Sequence, residues 1–447
     1  MIHKSEDMNK WIFEVKILCV AVLLILTFTS LSAQKLLTSE EAVSIALKNN
    51  YDILVARISA DINIVNNTAG NAGMLPNIGI TASDNKSLNN NLSYKLASAS
   101  KDTTTPNSAT NSLIANVSLS WTLFDGLKMF VTKKKLNEIE ALGEIQFKQQ
   151  VLQSIYDVTI AYFNVVMQKQ ELISLMEVIN YNTERVKILQ TSFDAGLSAK
   201  NNLLQAKIDL NVFQENALNQ QSVITASKRA LNQLLGQDSE TGFEVTDSIF
   251  VSFKPDKKSL EQKILEVNPA IMAMQSQVEI ARLSIKEYSS LRMPRLSFNA
   301  GYYFTRTDNT AGFQLFNRNY GPQVGGSLII PIFQGGNLNR QVAAAKLQFQ
   351  AAQYGLDVTK LLINVQLENA ITEFEEQQRL LNIELANDAL AKENLDISMQ
   401  RLRLGQTTAL EVRQAQESYV DSRTRLINFS FNLKVAETHL KQLIAAL

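Results

Sequence analysis

The chain has 447 residues and equal numbers of basic and acidic side chains, 43 of each, so its formal net charge is zero and nucleic acid is not an obvious partner. The single cysteine leaves no material for a disulfide framework or a thiolate metal site, and with His3 inside the expected leader, residues 1–33, His439 stands alone and no histidine-pair metal motif is available. The acidic residues are scattered at helical spacing. No catalytic constellation, metal site or cofactor site is visible, and the reading is of a protein that is not an enzyme.

The chain opens with Lys4, Lys10 and Lys16 ahead of an apolar run, Ile17 to Phe28, and a small-residue cleavage site, Ser30-Leu31-Ser32-Ala33. Residues 1–33 are therefore expected to be a secretory signal peptide. The run is about twelve residues, short of the roughly 20 that span a bilayer as a helix. Cys19 lies within it, so the mature chain would carry no cysteine.

Thr38 and Glu41 form a capping box that opens a helix expected to run to about Gly73. Pro76 then introduces a weak alternation through Ile78, Ile80 and Ala82. A polar stretch, Asn85 to Asn111, reads as a loop before Val117 to Leu123, where apolar and polar residues alternate without fault. Leu127 to Ala195 is an uninterrupted helical pattern ending at Gly196, a residue suited to a left-handed cap. Lys200 to Leu235 returns as a second helix.

The same order then recurs. A Gly-, Asp- and Ser-rich segment, 237–256, leads to a helix from Lys257 to about Ser290 and a second pair of alternating strands. These are Leu296 to Phe304 and a weaker run from Val324 to Ile332, joined by the polar segment Thr305 to Pro322. Leu338 to Leu404 and Thr407 to Leu447 form a second hairpin around Gly405. Asn50 and Pro76 have counterparts in Asn268 and Pro294, 218 residues on; Phe124, Gly196 and Gln205 have theirs in Phe333, Gly405 and Gln414, 209 residues on. The organisation is thus a signal peptide (1–33), a first structural repeat (34–236), an equatorial linker (237–256) and a second repeat (257–447).

Period-two alternation puts one strand face in oil or core and the other in water, and segments of about ten residues cross a tilted bilayer. Trp121, Tyr302 and Tyr303 suit an aromatic membrane girdle. Four strands cannot close a barrel, and an open edge in lipid leaves backbone groups unsatisfied, so the strands require oligomerisation if they cross a membrane. Arithmetic does not choose between eight strands and twelve. Two shorter helices stacked end to end match each long one, which at 1.5 Å per residue would reach about 100 Å.

These residues resemble the TolC-like outer membrane efflux proteins. The resemblance spans the mature chain and rests on an ordered, duplicated set of motifs. It includes Leu36-Leu37-Thr38 with Glu40-Glu41-Ala42, Ala46-Leu47-Lys48-Asn49-Asn50, and the proline-led strands at Pro76 and Pro294. It continues with Leu123-Phe124-Asp125-Gly126, Ile330-Pro331-Ile332-Phe333-Gln334-Gly335-Gly336 and the two glycine-tipped hairpins. It implies an α+β membrane protein with a long α-helical barrel of coiled-coil hairpins and four strands per chain in a shared, trimeric, twelve-stranded transmembrane β-barrel. It further implies an outer-membrane location with a periplasmic extension, a homotrimer in lipid, and docking to a periplasmic adaptor (membrane fusion) protein and an inner-membrane pump. The function implied is a passive duct for small toxic molecules. Polypeptide secretion of the type I kind is the alternative within that class, and a periplasmic coiled-coil scaffold the alternative outside it.

In the family, acidic residues on the second inner hairpin ring the pore constriction. Matched onto this chain the positions are Glu411 and Gln414, the second departing from an acid; Asn202 and Gln205 are the neutral equivalents in the first half. Arg401, Arg403 and Arg413 lie close by, and pairing with Glu411 or Asp194 would make an entrance latch. Gly196, Leu197, Gly405 and Gln406 form the tips expected to contact the adaptor.

Overall fold

The structure is a computed structural model, and it describes residues 36–95 and 100–447. The expected signal peptide lies outside the described residues. The elements in order are α1 (Ser39–Asn49), α2 (Tyr51–Asn66), β1 (Asn77–Tyr94), β2 (Thr103–Phe124), α3 (Lys128–Asp194) and α4 (Lys200–Leu235). There follow α5 (Lys257–Val267), α6 (Pro269–Ser290), β3 (Arg295–Asn309), β4 (Phe316–Ile329), α7 (Asn337–Arg403) and α8 (Ala409–Leu443). No helix among the described residues is long and apolar enough to cross a membrane.

The duplication holds at the level of element boundaries. Adding 218 to the ends of α1 gives those of α5, and adding 209 to the ends of α3 gives those of α7. Each helix predicted ahead of a strand pair is in fact two. Asn50 (ψ 123°) and Asn268 (ψ 120°) are extended and break the helical hydrogen bonding. Pro269 can begin a helix but cannot continue one, because it has no N–H and its ring crowds the preceding turn.

The chain divides into two compact units that cut across the repeats. One holds the segment through Asn50, Asp157–Ser252 and Glu375–Glu437. Its core has two clusters. In the first, Leu37, Val158, Tyr162, Leu231, Leu235 and Phe243 pack together, and the Tyr162 hydroxyl donates to the Leu37 carbonyl (2.9 Å). In the second, near the hairpin tips, Leu189, Leu203, Leu395, Leu402, Val412 and Tyr419 meet. Gly236 closes α4 in the left-handed region (φ 64°), and a Cβ there would lie 2.4 Å from the Asn49 carbonyl oxygen, so the position requires glycine.

The other unit holds Tyr51–Tyr156, Phe253–Phe374 and Thr438–Leu447. It contains one antiparallel sheet in the order β1-β2-β3-β4. The strands are longer than the alternation predicted: 18, 22, 15 and 14 residues. Most of the polar stretch 85–111, expected as a loop, is ladder (Asn85↔Ser112 to Tyr94↔Thr103). A ladder with water on both faces needs backbone pairing but no apolar alternation, so pattern alone misses it. β4 conversely stops at Ile329, short of the expected Ile332.

Candidate functional site

At the hairpin end of the first unit, both turns are built alike. Gly196 (φ 75°) and Gly405 (φ 69°) take the left-handed conformation. The next N–H in each case reaches back six residues' span to close the helix: Leu197 to the Ser192 carbonyl and Gln406 to the Arg401 carbonyl, 2.8 Å each. Beneath the turns the apolar cluster around Leu203, Leu402 and Val412 holds the four helix ends together.

A polar network that the sequence did not announce joins three of those helices. The Arg185 side chain on α3 is only 3% exposed; it donates to Asp209 on α4 (2.5 Å) and to Gln416 on α8 (3.1 Å). Burial presses its guanidinium below the usual arginine range, and the Asp209 carboxylate opposes that. Arg413 approaches the same carboxylate (3.8 Å) and pairs with Glu417 (3.1 Å). Asn202 and Gln205, with Arg185, Asp209, Leu410 and Arg413, line a cavity of about 110 Å³. The available signal was a charged residue, Arg185, set between apolar positions of α3.

Further from the tips, Glu177 accepts from Lys392 (2.7 Å) and the Tyr419 hydroxyl (2.9 Å). Glu384 accepts from Ser422 (2.6 Å) and Arg425 (2.9 Å). In both, burial disfavours the charge, but the donors prevail and hold the carboxyl below its usual range. Tyr181 donates to Asp396 (2.7 Å), and burial plus that carboxylate push its phenol above the usual range.

The sequence-predicted residues fall around this network. Glu411 and Gln414 are exposed on α8, on the face away from buried Val412 and Ala415. The Glu411 carboxylate accepts from the Thr407 hydroxyl. Within the chain the three arginines have other partners than Glu411 or Asp194. Arg401 donates to the Gln406 carbonyl (3.1 Å), Arg403 faces Glu184 (3.8 Å), and Asp194 accepts from Gln190 (2.9 Å). Leu197 and Leu404 stand exposed at the tips.

In the second unit, register sorts the sheet into two chemistries. Ile80, Val117, Tyr302 and Pro322 lie in one cross-strand row; Ile78, Leu119, Ala300 and Val324 lie in the next row on that face. Trp121 and Phe298 continue it, and the indole N–H donates to the Met74 carbonyl (2.9 Å). The opposite face carries rows such as Ser83, Ile114, Thr305 and Asn319, or Thr81, Asn116, Tyr303 and Gly321. Among the described strand residues its only charge is Arg295, at the helical end, donating to Thr122 (3.2 Å). Tyr303 is thereby separated from the expected girdle: it shares the polar face, whereas Trp121 and Tyr302 share the apolar one. Strand pleating requires it, since adjacent residues point to opposite sides.

The sequence matches the family described as outer membrane efflux protein over residues 42–237 and 260–446. The chain belongs to that family. This outer membrane efflux protein is 22% identical to outer membrane protein TolC of Escherichia coli over 358 residues, 75% of this chain and 70% of that one. It is also 22% identical to the outer membrane efflux protein BepC of Brucella suis, over 72% of this chain and 69% of that one. Its fold superposes on VceC of Vibrio cholerae with a TM-score of 0.72 at 18% identity, covering 91% and 95% of the two chains. With the CmeC outer membrane channel of Campylobacter jejuni the TM-score is 0.74 at 16% identity, covering 91% and 85%. The efflux protein thus has the fold of outer membrane channels, with helical hairpins and a strand sheet, and it is an outer membrane protein.

Proposed function

We propose that the chain is the outer membrane duct of a tripartite export system, a homotrimer whose twelve strands close one barrel and whose helices form a periplasmic tunnel. The observation that carries this reading is the sheet among the described residues: one face with an apolar band through Ile80, Val117, Tyr302 and Val324, its charges (Asp84, Lys86, Arg306, Asp308 and Arg318) confined to the end away from the helices, one polar face with a single charge at its helical end, and two unpaired edges. An apolar face meets lipid, an uncharged hydrogen-bonding face lines water, and unpaired edges in a membrane must be closed by further strands. The duct makes and breaks no bond. Small toxic molecules are the cargo proposed, with a periplasmic adaptor and an inner-membrane pump as partners and Gly196, Leu197, Gly405 and Gln406 as the adaptor-contact tips.

In this reading Glu411, repeated three times, rings the entrance with Gln414 beside it. Arg401, Arg403, Arg413 and Asp194 latch it through contacts between neighbouring hairpins. Because the barrel lining is nearly uncharged, selectivity falls to Glu411, as acid rings favour cations in other pores. Planar-bilayer recordings of the purified protein test this. The expected result is a pore that prefers cations and loses that preference in Glu411→Gln. Unchanged selectivity would remove Glu411 from the pathway, and a protein that never conducts would contradict a duct.

A further inference from the structure

The polar face of the sheet ends, on its helical side, in a cavity of about 410 Å³ that lies wholly within the second unit. Gly73, just ahead of the edge strand β1, and Ile329, the last residue of the edge strand β4, both line it. One space touched from both edges means that the sheet curls around it. Thr122 and Arg295 bring the polar face into the lining, and Leu291, Met293 and Pro331 add apolar surface. A mostly apolar lining with a few placed polar groups, at this volume, is the make-up of a small-molecule site.

The duplication separates what is generic in this lining from what is particular. Gly73 has its counterpart in Leu291, 218 residues on, and Asp125 has its counterpart in Gln334, 209 residues on; all four line the cavity. The cations break that symmetry. Arg295 answers to neutral Asn77, and Lys128 to neutral Asn337. The carboxylate in the lining is already committed, since Asp125 accepts from the Met129 N–H (3.1 and 3.2 Å) at the start of α3. Lys128 stands 3.9 Å from Glu287, which Lys135 (2.9 Å) and Thr132 (3.2 Å) hold more closely. Arg295 donates to the Thr122 hydroxyl (3.2 Å), a bond that takes one of the roughly five N–H donors of a guanidinium. The cavity therefore sets surplus positive charge and unspent donors beside apolar surface.

We infer that this cavity binds an amphiphilic organic anion, a sulfonate or carboxylate carried on an apolar body. Arg295 is the partner of the acid group, because a planar guanidinium meets two of its oxygens at once. Lys128 supplies a second positive charge, and Leu291, Met293 and Ile329 take the apolar body. One site per chain is expected, since Asn77 and Asn337 give the other repeat no matching cations. The inference rests on the duct reading, in which the polar face borders the water path, and it deepens that reading by naming a chemical class retained at the base of the barrel.

The test is equilibrium dialysis of naphthalenesulfonate against the full chain in lipid nanodiscs, with empty nanodiscs subtracted. The parent should bind one naphthalenesulfonate per chain. It should hold uncharged naphthalenemethanol and cationic naphthylmethylammonium about tenfold more weakly or worse, because a hydrogen bond to a charged group is the larger part of the affinity. Arg295→Gln should weaken the sulfonate about tenfold and leave naphthalenemethanol nearly unchanged. Lys128→Gln should weaken it by a smaller factor, and Arg295→Lys should restore part of the loss. Arg292→Gln removes an exposed cation three residues away and should bind as the parent does. No binding by the parent, binding unchanged in Arg295→Gln, or displacement by equimolar inorganic sulfate would overturn the inference. A trimeric mass in the same nanodiscs would leave the duct intact in each of those cases. A monomeric mass would overturn the duct reading, and with it the site's place on a water path, even with binding retained.

Discussion

The side-chain amide of Asn50 donates to the backbone carbonyl of Leu234 at 2.8 Å, with Asn50 only 4% exposed. In the other repeat Asn268 does the same to Leu443 at 2.9 Å. Each bond ties a helix break to the last turn of the helix that ends its own or the facing hairpin, where carbonyls have no intrahelical partner. Asn268 additionally caps α6 by accepting from Ala270 N–H (3.0 Å). Asn50→Ala should lower stability by about 1–3 kcal/mol, the cost of orphaning a buried polar group. Asn268→Ala should lose roughly a further 1 kcal/mol through the cap. Asn268→Asp keeps the acceptor and loses the donor, so thermal melting of the three variants separates the two contributions. A neutral Asn50→Ala would show that the carbonyl finds another donor.

Arg185 is the pivot of the hairpin end. Removing one partner of a buried pair leaves an uncompensated charge and typically costs about 3–5 kcal/mol. Arg185→Ala should therefore loosen the tips, seen as faster protease cleavage at the two turns around Gly196 and Gly405 than in the parent. Exchanging the pair for apolar residues, Arg185→Met with Asp209→Leu, should recover much of the protection. Equal protection in Arg185→Ala would mean that Arg413 and Gln205, which donates to Asp209 at 2.8 Å, hold the carboxylate unaided.

Acid should act on the same hairpins, further from their tips. Glu177 and Glu384 both have carboxyls held below their usual range in the folded chain. Their contribution is present above the unfolded carboxylate value, about pH 4.3, and is lost as pH falls through the lower folded value. Hairpin protection should hold through neutral pH and decline below about pH 4. Glu384→Gln, which cannot titrate, should begin lower and respond less to acid. A parent whose protection fell already between pH 7 and 6 would point to another group.

Ala445 occupies the position equivalent to Gly236 and adopts φ 50°, where a side chain is strained. Ala445→Gly should be neutral or stabilising by up to about 1 kcal/mol, because relief of left-handed strain opposes the greater freedom of glycine in the unfolded chain. Gly236→Ala should destabilise clearly, since its Cβ would meet the Asn49 carbonyl. A melting temperature lowered equally by both would contradict the asymmetry.

Much of the architecture was legible because it is written twice. The long helices, the glycine tips and the strand pairs each follow from periodicity, and the repeat offsets located the second set from the first. Three things were not. The helix break at Asn50 rests on a distant carbonyl, so local propensity does not reveal it, whereas the one at Asn268 was marked by Pro269 and passed over. The ladder from Asn85 to Tyr94 is polar on one face, and on the other Leu88 and Leu92 are separated by Asn90, which weakens the alternation that marks a strand. The Arg185–Asp209–Gln416 network joins residues far apart in sequence and became visible only with three helices in place. Glu411 and Gln414 were named by resemblance alone; both are exposed on α8, and their relation to a pore depends on copies of the chain.

The central claim is that four strands become twelve. The mass of the protein extracted from membranes in mild detergent measures it directly, by light scattering with the detergent contribution subtracted. The expected species is a detergent-dependent trimer of the mature chain. A monomer that stays in solution without detergent would contradict it, because the apolar face holding Trp121, Val117 and Tyr302 would then have no lipid to meet.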